Sequence, residues 1–276
     1  EETYNESDFY GVEIARKLFQ ICEQRKENGD FDQNNVFFLR KNAVSGLVFP
    51  RNSINTIHTS SLTHEIASYG DIAKLKAFIQ NRFEELTMGG VWINRDVVGP
   101  KNKEEIVYVQ LNDSDGEKDK SSHLQLNEEL TKEEKQKYLD SLSTYERFFV
   151  FQKEFRRHVS YSLWFERLEI EGLNFLKMKL GDICEYLSKK DYTDNWDSEM
   201  YESFCFWSFD DWLENVKDIG FKIHSKSTDY TNDWLIKHRY DGKVKIFTTT
   251  KNNPNKISDL LPTDWPVTHM LLIANK

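Results

Sequence analysis

Between Asn35 and Pro100 the order of apolar and polar positions spells strand, loop, strand, helix, glycine pair, strand. Val36-Phe37-Phe38-Leu39 is a short apolar run ending at Arg40, and Ser53–Leu62 is a second extended run whose end turns polar. From Asp71 to Met88 the residues Leu75, Phe78, Ile79, Phe83 and Leu86 recur at helical spacing, which predicts one buried helix face. Gly89-Gly90 is expected to stop that helix as a C′ glycine does, before a third strand over Val91–Val98. Strand, helix and strand at this spacing predict a parallel crossover with a right-handed connection. The strands carry few charges before their C-terminal ends, as helices on both faces would require.

The flanks extend the pattern. Phe9–Glu13 reads as a short strand ending in a carboxylate, and Ile14–Asn28 as a helix with Ile14, Leu18, Ile21 and Cys22 on one side, closed by Gly29. Beyond Lys101 the periodicity breaks. Asn112–Lys137, with Ser121-Ser122 inside it, is a charged and polar excursion. Thr131-Lys132-Glu133-Glu134 and Ser143-Thr144-Tyr145-Glu146 both match a capping box. Leu173, Leu176, Leu180, Ile183 and Leu187 predict an amphipathic helix over 172–188. Roughly 100 residues thus separate the third strand from the return of sheet pattern, a length that fits a lid or accessory subdomain. Ser208 then caps a helix over Phe209–Ile219 ending at Gly220. Strands follow at Phe221–Ser225, Val244–Thr248 and His269–Lys276. The division expected is an α/β core from 1–100, a mostly helical insertion over 101–202, and the remainder of the core from 203–276.

Composition narrows the classes. The chain has 276 residues, 38% hydrophobic and 14% aromatic, enough for one sizeable core plus an accessory lobe. A net charge of -9 disfavours free nucleic acid, which needs a local basic patch. Arg156-Arg157-His158 comes nearest to one and reads more simply as a solvated helix face. The widely spaced Cys22, Cys184 and Cys205 fit a reducing, cytoplasmic compartment rather than a disulfide scaffold. No apolar run reaches the ~20 residues of a membrane span. The start, Glu-Glu-Thr-Tyr-Asn-Glu, reads as that of a fragment or processed chain.

Several residues carry candidate chemistry. Glu13, at a strand end, is either a helix-start acid or a ligand for two ribose hydroxyls. Asn42 either forms an Asx-turn or pairs with an adenine edge. His64-Glu65, beyond the carboxyl end of the middle strand, is either a solvated helix start or a proton-accepting pair. His58 and His64 without further clustered ligands are weak grounds for a metal. The aromatic and acidic run Asp191–Glu202, continued by Phe204–Trp207, either walls a pocket or packs a lid on the core.

In this order the parts resemble a class I S-adenosylmethionine-dependent methyltransferase over residues 9–100 and 203–276. "YGVEIARKL" resembles the second strand of that family with its ribose-binding acid, and "VFFLRKNAV" the third strand and adenine-contacting turn. "SINTIHTSSLTHEIASYG" resembles the fourth strand with its loop, "LTMGGVWINRDVV" the Gly-Gly turn and fifth strand, and "FWSFDDWLENVKDIGFKIHS" with "THMLLIANK" the last helix and strand pair. The resemblance implies a Rossmann-like, mostly parallel sheet with an antiparallel C-terminal strand. It implies S-adenosylmethionine as cofactor, held by Glu13, Asn42, Ala43, Thr59 and Ser60. It also implies a small-molecule or protein acceptor, with His64 or Glu65 as base and Tyr69 and Trp196 walling the substrate. The family's first strand and glycine-rich loop have no counterpart before Phe9. The chain is then a piece of a larger protein, or a partner chain or domain supplies that strand, or the scaffold serves protein interaction without catalysis. The absence of a Gly-x-Gly-x-x-Gly stretch speaks against a nicotinamide enzyme.

Overall fold

The computed structural model describes residues 6–31, 35–117, 130–252 and 254–276. The first unit is β1 (Phe9–Glu13), α1 (Arg16–Glu27) and β2 (Val36–Arg40). The second is β3 (Ile54–Ser60), α2 (Thr63–Tyr69), α3 (Ile72–Glu85) and β4 (Leu86–Val97). The middle of the chain supplies β5 (Ile106–Leu111), α4 (Lys132–Ser141), α5 (Thr144–Glu154), β6 (Phe165–Ile170), β7 (Leu173–Lys179), α6 (Leu180–Lys189) and α7 (Trp196–Tyr201). The chain then runs through α8 (Phe209–Ile219), β8 (Lys222–Ile223), β9 (Thr228–Tyr230), β10 (Val244–Thr248), β11 (Leu261–Pro262) and β12 (His269–Asn275).

β3 and β4 lie side by side in parallel, β12 joins β4 antiparallel, and β8 and β9 both pair with β12. This is the mixed sheet expected, with a reversed C-terminal strand set between β4 and β8. α3 and α8 cover it. Asp71 caps α3 by accepting the Lys74 N–H at 2.7 Å, and Leu75, Phe78 and Ile79 are fully buried. Ser208 and Asp211 form a reciprocal capping box on α8, and Gly220 ends it at φ +116°, a conformation that disfavours any Cβ. Trp92, Trp212, Val216, Met270 and Leu272 complete this core. Each fully buried apolar side chain of that size contributes roughly 1.5–3 kcal/mol.

Three expectations are corrected here. Gly89-Gly90 does not end the helix, because Leu86 already begins β4 and the glycines lie within the strand. The register slips there, from Ile54 opposite Leu86 to Thr56 opposite Val91, and Gly89 takes φ +79°. The pair therefore makes a bulge. Next, 172–188 is not one helix: Leu173–Lys179 is a strand and only Leu180–Lys189 is helical. The stretch 101–202 therefore contributes strands as well as its helices. β5, β6 and β7 join β10 and β11 in an antiparallel sheet of order β11-β10-β5-β7-β6, packed over Phe148, Phe151, Leu176, Met178 and Tyr186. Finally, β2 pairs with β1 and not with β3, so the first unit is a separate two-stranded parallel sheet.

Among the described residues no strand bridges β1 and β3. The first unit is tied to the rest through its exit loop. Glu85 accepts the N–H groups of Val48 and Phe49, and Arg82 donates to Glu85 and to the carbonyls of Ala43 and Gly46. The apolar side of α1 is bare: Ile14, Leu18 and Ile21 are 59%, 53% and 51% exposed, and no α1 residue is buried. The serines at 121 and 122 lie outside the described residues. Cys22, Cys184 and Cys205 are free thiols. No helix among the described residues is long and apolar enough to cross a membrane.

Candidate functional site

Alternate residues of β4, Trp92, Asn94 and Asp96, project to the buried face of the strand. They start a continuous polar chain. The Trp92 Nε1–H donates to Thr59 Oγ1 at 2.9 Å, and the Thr59 hydroxyl donates to Asn94 Oδ1 at 2.8 Å. The Asn94 amide donates to Thr63 Oγ1 at 3.2 Å, and the Thr63 hydroxyl donates to Asp96. Asp96 also accepts the backbone N–H groups of Thr63 at 2.7 Å and His64 at 3.2 Å. Leu62, at the N-cap of α2, makes no side-chain cap bond, so the carboxylate from β4 does that work at the positive end of the helix.

His64 is the junction. Its Nδ1 bonds Asp96 Oδ1 at 2.6 Å and its Nε2 faces Glu202 Oε2 at 3.4 Å, with the Phe204 ring edge-on at 4.8 Å. Burial alone would lower the imidazole pKa. The hydrogen bonds to Asp96 and Glu202 and their charges outweigh it and lift the pKa to about 9. At neutral pH His64 is therefore an imidazolium holding two carboxylates. Glu202 passes the chain outward by accepting from Tyr69 Oη at 3.2 Å, and Tyr69 Oη also meets Ser198 Oγ at 2.7 Å. Tyr69 stacks on Tyr201 with centroids 4.7 Å apart. Glu65, one residue on, points the other way and is exposed. Its carboxyl is pushed up by partial burial against the lowering pull of His64, with Glu202, Asp96 and Glu13 adding to the rise.

The structure thus brings together His64, Glu65 and Tyr69 and places Glu13 within electrostatic reach of them. The remaining candidates have other surroundings. Trp196 is buried in the core of the antiparallel sheet and donates its Nε1–H to Glu154 at 2.7 Å. Thr59 is consumed by Trp92 and Asn94 inside the sheet. Ser60 is exposed at the end of β3, opposite Arg95. Asn42 Oδ1 accepts the Val44 N–H at 2.9 Å, an Asx-turn, and the Ala43 carbonyl accepts from Arg82 at 3.3 Å. Glu13 Oε1 accepts the Ala15 N–H at 2.6 Å. His58 is exposed on β3, and no group of three His, Cys, Asp or Glu among the described residues is disposed to hold a metal. Sequence reasoning missed Asp96 and took Glu202 only as the end of the aromatic and acidic run. A signal for Asp96 was present: Trp92, Asn94 and Asp96 share one strand face, so two polar residues sit in line with a large buried one.

Comparison with solved structures gives low similarity over nearly the whole chain. An S-adenosylmethionine-dependent methyltransferase from Mesorhizobium loti is 11% identical with a TM-score of 0.44, covering 98% of this chain and 81% of that one. A second, from Methanosarcina mazei, is 11% identical with a TM-score of 0.42, over 97% and 81%. The [4+2]-cyclase SpnF is 13% identical with a TM-score of 0.34, over 99% and 68%. No family model and no curated protein matches the chain. With scores this low, the α/β assignment rests on the strand pairing itself: β3 and β4 parallel, β12 reversed beside them, and β8 beyond.

Proposed function

We propose that this chain is the acceptor-side framework of an S-adenosylmethionine-dependent methyltransferase that serves a small-molecule or protein acceptor. The observation that carries the reading is the strand order β3-β4-β12-β8, in which β12 alone runs against the common direction of β3, β4 and β8. In open α/β sheets of this kind ligands sit beyond the carboxyl ends of the strands, where Glu13, Ser60 and the start of α2 are found.

The residues present fit one end of the cofactor. Glu13 keeps one carboxylate oxygen free of intramolecular partners among the described residues, which suits a pair of ribose hydroxyls. Asn42 retains its amide N–H groups. The methionine end is a different matter. It calls for a backbone cradle of closely spaced glycines, and none of the residues directly following β1, β2 or β3 is glycine. The described residues therefore do not hold the whole cofactor, and a further strand and loop beside β1 or β3, from a partner chain or domain, would complete it.

What remains to this chain's own residues is handling of the acceptor. His64, already protonated, fixes the entry of α2. Glu65, with its raised carboxyl, is the group able to take a proton from an acceptor nucleophile. Tyr69 and Tyr201 form an aromatic lip beside it. Isothermal titration of the chain with S-adenosylhomocysteine, alone and after co-expression with candidate completing segments, tests the proposal. Binding that depends on Glu13 supports it, and no binding in either setting removes it. A second reading, a non-catalytic module for protein interaction, draws on the bare apolar side of α1. It expects a stoichiometric partner whose capture survives Glu13→Ala and His64→Ala.

A further inference from the structure

The two faces of β4 lead to two different places. Trp92, Asn94 and Asp96 feed the buried polar chain. Arg95 and Val97, on the opposite face, line a cavity of about 300 Å³ between the mixed sheet and α6. Its other walls come from α6, from the short helical stretch at 233–240 and from the approach to β12. The volume matches the small end of organic-ligand pockets.

Its charge is unlike that of the chain. The protein carries a net -9, yet among the described residues no Asp or Glu lines this cavity, while Arg95 and Arg239 both do. Among the described residues neither guanidinium has a carboxylate within salt-bridge distance. Arg239 is instead held by aromatic faces, 4.5 Å from the Tyr192 centroid and 5.5 Å from that of Trp234. That leaves its donors free while restricting its motion. His269, also in the wall, is kept neutral by burial and by the Arg95 charge. Ser61 stands at the mouth in the left-handed region, φ +50°, a conformation costly for serine and of the kind that collects at ligand sites. Leu187, Phe204 and Val267 supply apolar wall.

We propose that this cavity binds a small organic oxyanion, a carboxylate or phosphate on an apolar or aromatic body, with Arg95 and Arg239 holding the anion and Trp234 and Phe204 the body. Arginine forks match both oxyanions in two-point contact. The role of this molecule as methyl acceptor rests on the function proposed above; its binding does not.

The test is calorimetric titration of the full chain, without S-adenosylmethionine, with benzoate, phenyl phosphate and the uncharged benzamide. Benzoate or phenyl phosphate should bind at least about tenfold more tightly than benzamide, the effect of one charge-assisted hydrogen bond. Arg95→Gln and Arg239→Gln should each remove that advantage, with Arg239→Lys restoring part of it. Circular dichroism of each variant confirms that it is folded, and quenching of tryptophan fluorescence in the unaltered protein gives an independent readout. Equal binding of benzamide, no binding of either anion, or anion binding that both variants preserve overturns the proposal. Oxyanion binding alongside a failed cofactor titration would leave this inference standing and remove only methyl transfer.

Discussion

At the scale of single residues His64 dominates. A buried imidazolium between Asp96 and Glu202 contributes stability only while it keeps its proton. Its folded pKa, about 9, lies above the usual 6.5. The contribution is therefore complete below pH 6.5 and is lost as pH rises through about 9. His64→Gln should destabilise the fold by about 3 kcal/mol at pH 6, because two buried carboxylates lose their cation. Urea unfolding of both proteins at pH 6 and pH 10 should show the gap narrowing at the higher pH, and a gap that widens would contradict the ion-pair account. Little of this was legible beforehand. The pair His64-Glu65 drew notice through its place after a strand. The partner Asp96 is 32 positions away, a contact that no local pattern specifies, and the choice between base and clamp turns on that partner.

At the scale of elements a buried polar anchor ties α6 to the segment leading into α8. The buried Glu185 carboxylate of α6 accepts from Ser203 Oγ at 2.8 Å and from the N–H groups of Phe204 and Cys205 at 2.9 and 2.8 Å, and it pairs with the fully buried Lys189. Lys189 in turn lies 3.4 Å from the centroid of the Phe204 ring. Glu185→Ala should cost about 3–5 kcal/mol by leaving Lys189 charged and alone, measured as a shift of the urea midpoint. A loss below about 1 kcal/mol would show the anchor to be dispensable. Periodicity read α3 and α8 well, since each has a single apolar stripe behind a clear N-cap. It failed over 173–179, where Leu173, Leu176 and Leu180 share a helical spacing, yet in β7 Leu176 and Met178 face one core and Phe175 the other side of the sheet, all three buried. Gly89-Gly90 misled for a related reason: a bulge and a C-cap both call for positive φ, and only the pairing partner separates them.

At the scale of the whole molecule the first unit stands apart. β1, α1 and β2 present Phe9, Ile14, Leu18 and Ile21 to solvent, and among the described residues β1 and β3 each pair on one side alone. Edge strands beside an exposed apolar face invite pairing by another strand. The double substitution Ile14→Lys with Leu18→Lys should lower binding of a hydrophobic dye and any concentration-dependent association in sedimentation, while changing stability by less than about 0.5 kcal/mol per site. A large loss of stability would mean that the face is covered within the chain after all. Sequence order indicated the parallel pair and the reversed last strand. It could not show that β2 belongs with β1, because sheet membership is decided by contacts far along the chain.

The place of β12 carries one more consequence, for the time course of synthesis. β12 lies between β4 on one side and β8 and β9 on the other, with Asn275 opposite Val91. During translation β4 leaves the ribosome long before its neighbour has been made, and its free edge waits through the whole antiparallel sheet. The Asp96 carboxylate is then the early guard, since its bonds to Thr63 and His64 need nothing beyond β4. Nascent chains halted before residue 269 should already protect the α2 amides from hydrogen exchange while leaving those of β4 facing β12 unprotected.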